Sequence, residues 1–269
     1  MRILRGLIYY VGSLFRIIFY FKRWPSVLYS LFCPDKKKTK IVGLRRPLLE
    51  FISRGGMDIW SIKETLLDSF YTRYGVQIKD GWHVLDVGAG IGDFSLQAAY
   101  GNPNTKVYAY EPFPESYQLL YKNIKLNGFD NIQPVNAALW GIESTLKLDT
   151  SNGEPLQIMS LDSRDEKDIQ GVVEVNAISM GGVFYQLGIE NFDIVKLDCE
   201  GAEYEILMNT SAAIFKKIDR IIMEYHDIDQ NYHHQKLASF LKEMGYQVFC
   251  YDNFVHQDIG YLYAQRQSI

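Results

Sequence analysis

With 269 residues, 47% of them hydrophobic and 22% charged, the chain has material for one large domain with a real core, or for two small ones. Its three cysteines, Cys33, Cys199 and Cys250, show no CxxC spacing, which argues against a disulfide framework or a zinc site and for a reducing cytoplasm. The net charge of −4 conceals an asymmetry: residues 1–40 carry nine basic side chains against Asp35 alone, +8, so the remainder is −12 and a poor binder of nucleic acid.

Residues 1–45 read as a basic, apolar extension and linker. Leu7 to Val11, Leu14, Phe15 and Ile17 to Phe21 crowd one segment, but Arg16 interrupts it. No charge-free run therefore reaches the roughly 18–20 residues of a spanning helix. No small-residue cleavage site follows to make it a signal peptide. The segment is expected to be a helix packed on its own domain or on a second copy in a homodimer, or to make peripheral membrane contact on anionic lipid through residues 1–40. Pro34 and the run Lys36 to Lys40 look like a solvated linker reaching toward Pro47. Ser61 and Glu64 then fit a capping box, with Ile59, Ile62, Leu66 and Phe70 at helical spacing.

From residue 83, short β-rich runs alternate with helical patterns. Strands are expected at His83–Val87, Lys106–Glu111, Ile132–Asn136, Asp193–Leu197 and Arg220–Tyr225. Pro114 opens a helix that Gly128 caps, and Leu237, Phe240, Leu241 and Met244 mark a later one ending at Gly245. Such alternation implies an α/β fold, a parallel sheet covered on both faces. Residues 142–180 fit less well, with extra strands or a hairpin around the charged stretch Asp162 to Asp168; residues 246–251 and 260–265 read as a terminal hairpin.

The strongest local signal is Asp86-Val87-Gly88-Ala89-Gly90-Ile91-Gly92-Asp93, between an apolar strand and a helical pattern. Glycines there let the backbone turn sharply and approach a ligand, although a tight turn without a ligand uses the same residues. Asp93 stands where the last glycine of the dinucleotide fingerprint would fall. Asp86 suits a ligand with an ammonium group, such as the methionine end of S-adenosylmethionine (SAM), and would repel a pyrophosphate. Glu111, 19 residues after Gly92, can accept from both hydroxyls of a ribose, which serves NAD and SAM alike. The expected carboxyl ends of five strands carry Asp86, Glu111, Asn136, Asp198 and Glu224 with His226, and in an open α/β sheet those ends line one crevice.

Val84 to Gly92, Tyr110-Glu111-Pro112, Asn136 to Leu139 and above all Lys196-Leu197-Asp198-Cys199-Glu200-Gly201-Ala202-Glu203 resemble the FkbM-type SAM-dependent methyltransferases over roughly residues 50–230. The resemblance implies a Rossmann-like class I fold, a mostly parallel seven-stranded sheet with helices on both faces plus the N-terminal helical extension. It implies a methyltransferase domain over 46–269, with a SAM-binding core at about 80–230 and a substrate-side insertion at about 142–180. Carried over, Gly88, Ala89 and Gly90 would contact the methionine part, Glu111 the ribose, and Asn136 and Ala137 the adenine. Asp198 would face the sulfonium, and Glu200 and Glu203 would shape the side of the acceptor, a sugar, glycan or polyketide hydroxyl. The first 45 residues depart from the family pattern.

Methyl transfer from a sulfonium needs an aligned acceptor and removal of its proton. Asp198, Glu224 and His226 form the expected catalytic set, with His226 the first candidate base because an unperturbed imidazole titrates near pH 6.5. A magnesium-like ion on Asp198, Glu200, Glu224 and His226 is an alternative route, although no metal site is expected. The competing classes are a nicotinamide-dependent oxidoreductase, against which Asp86 and Asp93 argue, and a non-catalytic SAM-binding protein recruited to membranes.

Overall fold

The computed structural model describes residues 2–32, 39–73, 76–149, 172–253 and 255–267. The chain opens with helices α1 (Arg2–Tyr20) and α2 (Trp24–Phe32), a hairpin of β1 (Lys40–Gly43) and β2 (Glu50–Ser53), and helix α3 (Gly56–Leu66). Two expectations change here. The solvated linker does not extend to Pro47, because Lys40 to Gly43 pairs antiparallel with Glu50 to Ser53; Pro34 and Lys36 to Lys38 lie outside the described residues. The capping box does not form, because α3 starts five residues earlier, behind Gly55, where Asp58 in the first turn accepts from Arg54 N at 2.6 Å. Ser61 sits inside the helix and donates to Asp93 at 2.9 Å.

The α/β core then follows in the expected alternation: β3 (His83–Val87), α4 (Asp93–Ala99), β4 (Lys106–Tyr110), α5 (Pro114–Asn127) and β5 (Ile132–Val135). Pro114 fits the first turn of α5, where its missing N–H has no intrahelical partner, and Gly128 closes the helix in the left-handed region. Next come β6 (Ala138–Leu139), β7 (Ser144–Asp149), β8 (Val172–Ile178) and α6 (Met180–Leu187). The second half holds β9 (Ile194–Leu197), α7 (Glu203–Met208), α8 (Ala212–Phe215), β10 (Arg220–His226), α9 (His234–Glu243), β11 (Tyr246–Asp252) and β12 (Ile259–Arg266). The expected extra strands are present as a separate sheet ordered β6-β8-β7, while the stretch Asp162 to Asp168 lies outside the described residues.

The seven-stranded sheet runs β11-β12-β10-β9-β3-β4-β5. Its five strands from β10 to β5 are parallel, and β12 is antiparallel to both β10 and β11. Successive residues of a strand face opposite sides, so Val84, Ile194 and Ile222 join one apolar cluster while Leu85, Val195 and Ile221 join the other. Helices α3 to α5 cover the first face and α6 to α9 the second, which is why these strands are apolar throughout.

The N-terminal segment belongs to this core. Ile17, Phe21 and Val27 share a buried cluster with Val84 and Phe94. The contact is polar as well: the ammonium of Lys63, fully buried on α3, pairs with Asp68 at 2.6 Å and donates to the Tyr9 hydroxyl at 2.7 Å. Tyr9 donates to Glu64 at 2.8 Å, and Arg16 pairs with Asp68. Burial lowers the Lys63 pKa against the pull of Asp68, and burial raises that of Glu64. Ile17→Ala is therefore expected to destabilise the whole domain by about 2–5 kcal/mol, read as a shift of the urea midpoint. An unchanged midpoint would show that α1 is a detachable arm.

Candidate functional site

A cleft of about 210 Å³ opens where β3, β4 and β9 end. Its floor is the turn after β3. Gly88 has φ 71°, and a Cβ there would stand 1.8 Å from the Asp198 carbonyl oxygen, so the turn can approach β9 only with glycine. At Gly90, φ 54°, an added Cβ would meet nothing within 4 Å and would project into free space. Beside it, Glu111 is held just past β4: its Oε2 accepts from Gly90 N at 2.7 Å and its Oε1 from Phe113 N at 2.8 Å. A carboxylate fixed next to a glycine-rich loop fits a nucleoside-bearing cofactor, whose ribose hydroxyls a carboxylate can accept from.

Gly88, Gly90, Glu111, Asp198 and Glu200 line the cleft, as expected, and Ala89 is buried in the same turn. Four expected residues stand elsewhere. Asp86 is fully buried: Ser95 donates to its Oδ2 at 2.6 Å and the Lys196 ammonium lies 3.0 Å from its Oδ1, so its charge is used inside the protein and does not meet a ligand ammonium. Asn136 is exposed and donates to the carbonyls of Glu111 and Pro112 at 2.9 and 3.0 Å, bracing that turn. Ala137 is buried, and the cleft wall there is made by Ala138 and Leu139. Glu203 is fully buried and accepts from Cys199 N at 3.0 Å, which ties the loop after β9 to α7.

Side chains not named among the expected site residues complete the cleft. Lys196 donates to Gly88 O at 2.8 Å and lies 3.7 Å from Asp198; although burial disfavours its charge, Asp86, Asp198 and Asp93 push its pKa up. Tyr71 donates to Asp198 Oδ2 at 2.7 Å. On the opposite wall Arg54 pairs with Asp58 at 2.7 Å and donates to Ser116 at 3.0 Å. Only the fold joins these groups, since Arg54 and Tyr71 come from segments far in sequence from the glycine loop.

Asp198, Glu224 and His226 do converge, each offering an atom within 4.8 Å of the others. Their protonation differs from the expectation. Burial and the nearby Asp198 charge raise the Glu224 pKa well above its ordinary value, which favours its protonated form. His226 is buried too, which disfavours its charge, but Glu203 and Glu200 overcome this and its pKa is pushed up to about 10. Its nitrogens lie 3.3 Å from Glu200 and 3.4 Å from Glu203. His226 is thus a cation near neutral pH and not the expected base. A divalent ion at this trio would have to displace the protons of Glu224 and His226.

The methyltransferase FkbM domain matches the chain over residues 86–248, more than half of its length. Among curated proteins, the 31-O-demethyl-FK506 methyltransferase FkbM of Streptomyces tacrolimicus is 26% identical over 200 residues, 62% of this chain and 74% of that one. Methyltransferase sdnD of Sordaria araneosa is 27% identical over 170 residues, 52% of this chain and 65% of that one. Among solved structures, the methyltransferase FkbM of Methylobacillus flagellatus KT superimposes with a TM-score of 0.50 at 14% identity, covering 72% of this chain and 46% of that one.

The ion pairs of His226 make a pH signature. Its folded pKa of about 10 lies above the ordinary 6.5, so its contribution to stability is complete below about pH 6.5 and is lost as pH rises through 10. His226→Gln is expected to be less stable than wild type at pH 6, with the gap in unfolding free energy closing toward pH 10. A gap that stays constant across that range would show that the histidine is neutral in the folded protein.

Proposed function

The chain belongs to the methyltransferase FkbM domain family and takes S-adenosylmethionine as its cofactor, and on that premise we propose that it methylates a hydroxyl oxygen of a small-molecule or glycan acceptor. The O-demethyl substrate in the name of the S. tacrolimicus relative supports oxygen as the accepting atom. One observation carries the chemistry: Asp198 is the member of the trio that lines the cleft, with its Oδ2 accepting from the Tyr71 hydroxyl and the Lys196 ammonium 3.7 Å away.

Glu111 and the backbone of Gly88 and Gly90 would hold the cofactor, which supplies an electrophilic methyl group on a sulfonium. Asp198 would accept a hydrogen bond from the acceptor hydroxyl and take up its proton as the oxygen is methylated. Tyr71 orients the Asp198 carboxylate, and the Lys196 ammonium keeps it in place. Protonated His226 draws Glu200 toward the β10 end, which sets the cleft edge where the acceptor enters.

Incubation with methyl-labelled cofactor and a panel of hydroxyl-bearing and amine-bearing acceptors tests the reading, and label appearing only on nitrogen would overturn it. Asp198→Asn should lower kcat by about 10²–10⁴-fold with cofactor affinity little changed; retained turnover would remove Asp198 from the proton path. Glu111→Ala should weaken SAM binding by about 1–3 kcal/mol in titration calorimetry. Gly90→Val should abolish binding, because its branched side chain fills the cofactor's space at a left-handed backbone position. Normal SAM affinity in both variants would relocate the cofactor.

A further inference from the structure

Methyl transfer makes no use of the outer face of the N-terminal helices. Tyr9, Ser13 and Ile17, four residues apart, form the stripe by which α1 meets the domain. Leu7, Ile8, Val11, Leu14, Phe15 and Phe19 lie on the opposite side, and Phe15 and Phe19 keep 57% and 66% of their surface in water. Helix α2, packed beside α1, repeats the pattern: Val27 and Ser30 face inward while Trp24, Tyr29 and Phe32 are exposed. An apolar face of this extent turned away from its own core needs a cover.

The rim of that face is basic. Arg45 donates from its guanidinium to Phe19 O at 3.0 Å and from its backbone to Tyr20 O at 2.8 Å, so it stands at the carboxyl end of α1 with Arg46 next to it. Arg23, in the turn between the helices, is exposed, as are Arg45 and Arg46. Residues 1–40 carry a net +8.

We propose that α1 and α2 seat the protein on an anionic membrane surface, with the apolar face in the boundary between headgroups and acyl chains. Charge decides the occupant. A symmetric contact between two copies through this face would bring two rims of Arg23, Arg45 and Arg46 together, whereas anionic headgroups complement that rim. Among the described residues no helix is long and apolar enough to cross a membrane, so the helices lie in the interface, where α1 would extend about 28 Å. The seat is coupled to the cleft through α3, which grips α1 with Lys63 and Glu64 and lines the cleft with Met57, Asp58 and Ser61. The cleft therefore has a fixed orientation to the membrane plane.

The test is co-sedimentation of the full chain with vesicles of phosphatidylcholine alone and of phosphatidylcholine mixed with phosphatidylglycerol. Binding is expected to the anionic vesicles, weakening as salt rises. Phe15→Glu/Phe19→Glu should weaken it at least about tenfold, since two apolar anchors are lost, and Arg45→Gln/Arg46→Gln should reduce it by a smaller factor and flatten the salt dependence. All four side chains are exposed, so an unchanged unfolding midpoint and unchanged SAM affinity separate this proposal from the cofactor assignment. Equal sedimentation of wild type and both variants overturns the proposal. So does a wild-type dimer without vesicle binding that Phe15→Glu/Phe19→Glu converts to monomer, which makes a second copy the cover.

Discussion

The site depends on one buried ammonium. Lys196 on β9 sits level with Asp86 on β3 in the parallel register, and its Nζ lies 3.0 Å from that carboxylate and 3.7 Å from Asp198. A lone charge removed from water costs several kcal/mol, so the lysine can be buried only with these partners in place. The same Nζ donates to Gly88 O, which ties the glycine loop to the end of β9. Loop position, strand register and the direction of the Asp198 carboxylate are thus joined through one group, and the absence of a side chain at Gly88 permits the close approach.

A second buried lysine performs the corresponding task at the periphery. Lys63 on α3 is surrounded by the Tyr9 and Trp60 rings at 4.0 and 4.2 Å and paired with Asp68, and through Tyr9 it fixes α1. Because neighbouring turns of α3 also line the cleft, the N-terminal helices and the binding site share one rigid element. The apolar interior supplies cohesion in both places, while the buried charges select one arrangement by making any other leave an ion unpaired.

The proton inventory of the site follows from burial and like charge. Burial and the nearby Asp198 charge push the Glu224 carboxyl toward its protonated form. His226, enclosed by Glu200 and Glu203, gains one. What remains at the cleft is a carboxylate oriented by a tyrosine hydroxyl and a lysine, an arrangement suited to aligning a hydroxyl and receiving its proton. On the other side of the cleft the Glu111 carboxylate is fixed by the backbone N–H groups of Gly90 and Phe113.

Local sequence determined what depends on neighbours in the chain. The apolar runs of β3, β4, β9 and β10, the proline start and glycine end of α5, and the glycine turn before α4 were all legible because propensity and backbone freedom act over a few residues. So was the set of strand-end carboxylates, since parallel strands in an α/β sheet present their carboxyl ends together. Tertiary structure alone decided which of those groups face the cleft. Asp86 turned inward because Lys196, 110 positions on, required a partner, and Asn136 became a brace for the Glu111 turn. Tyr71 and Arg54 reached the cleft from segments with no motif, and the two carboxylates beside His226 come to it from the loop after β9 and from the start of α7. Solvent exclusion and charge pairing are properties of the assembled core, and no window of the chain contains them.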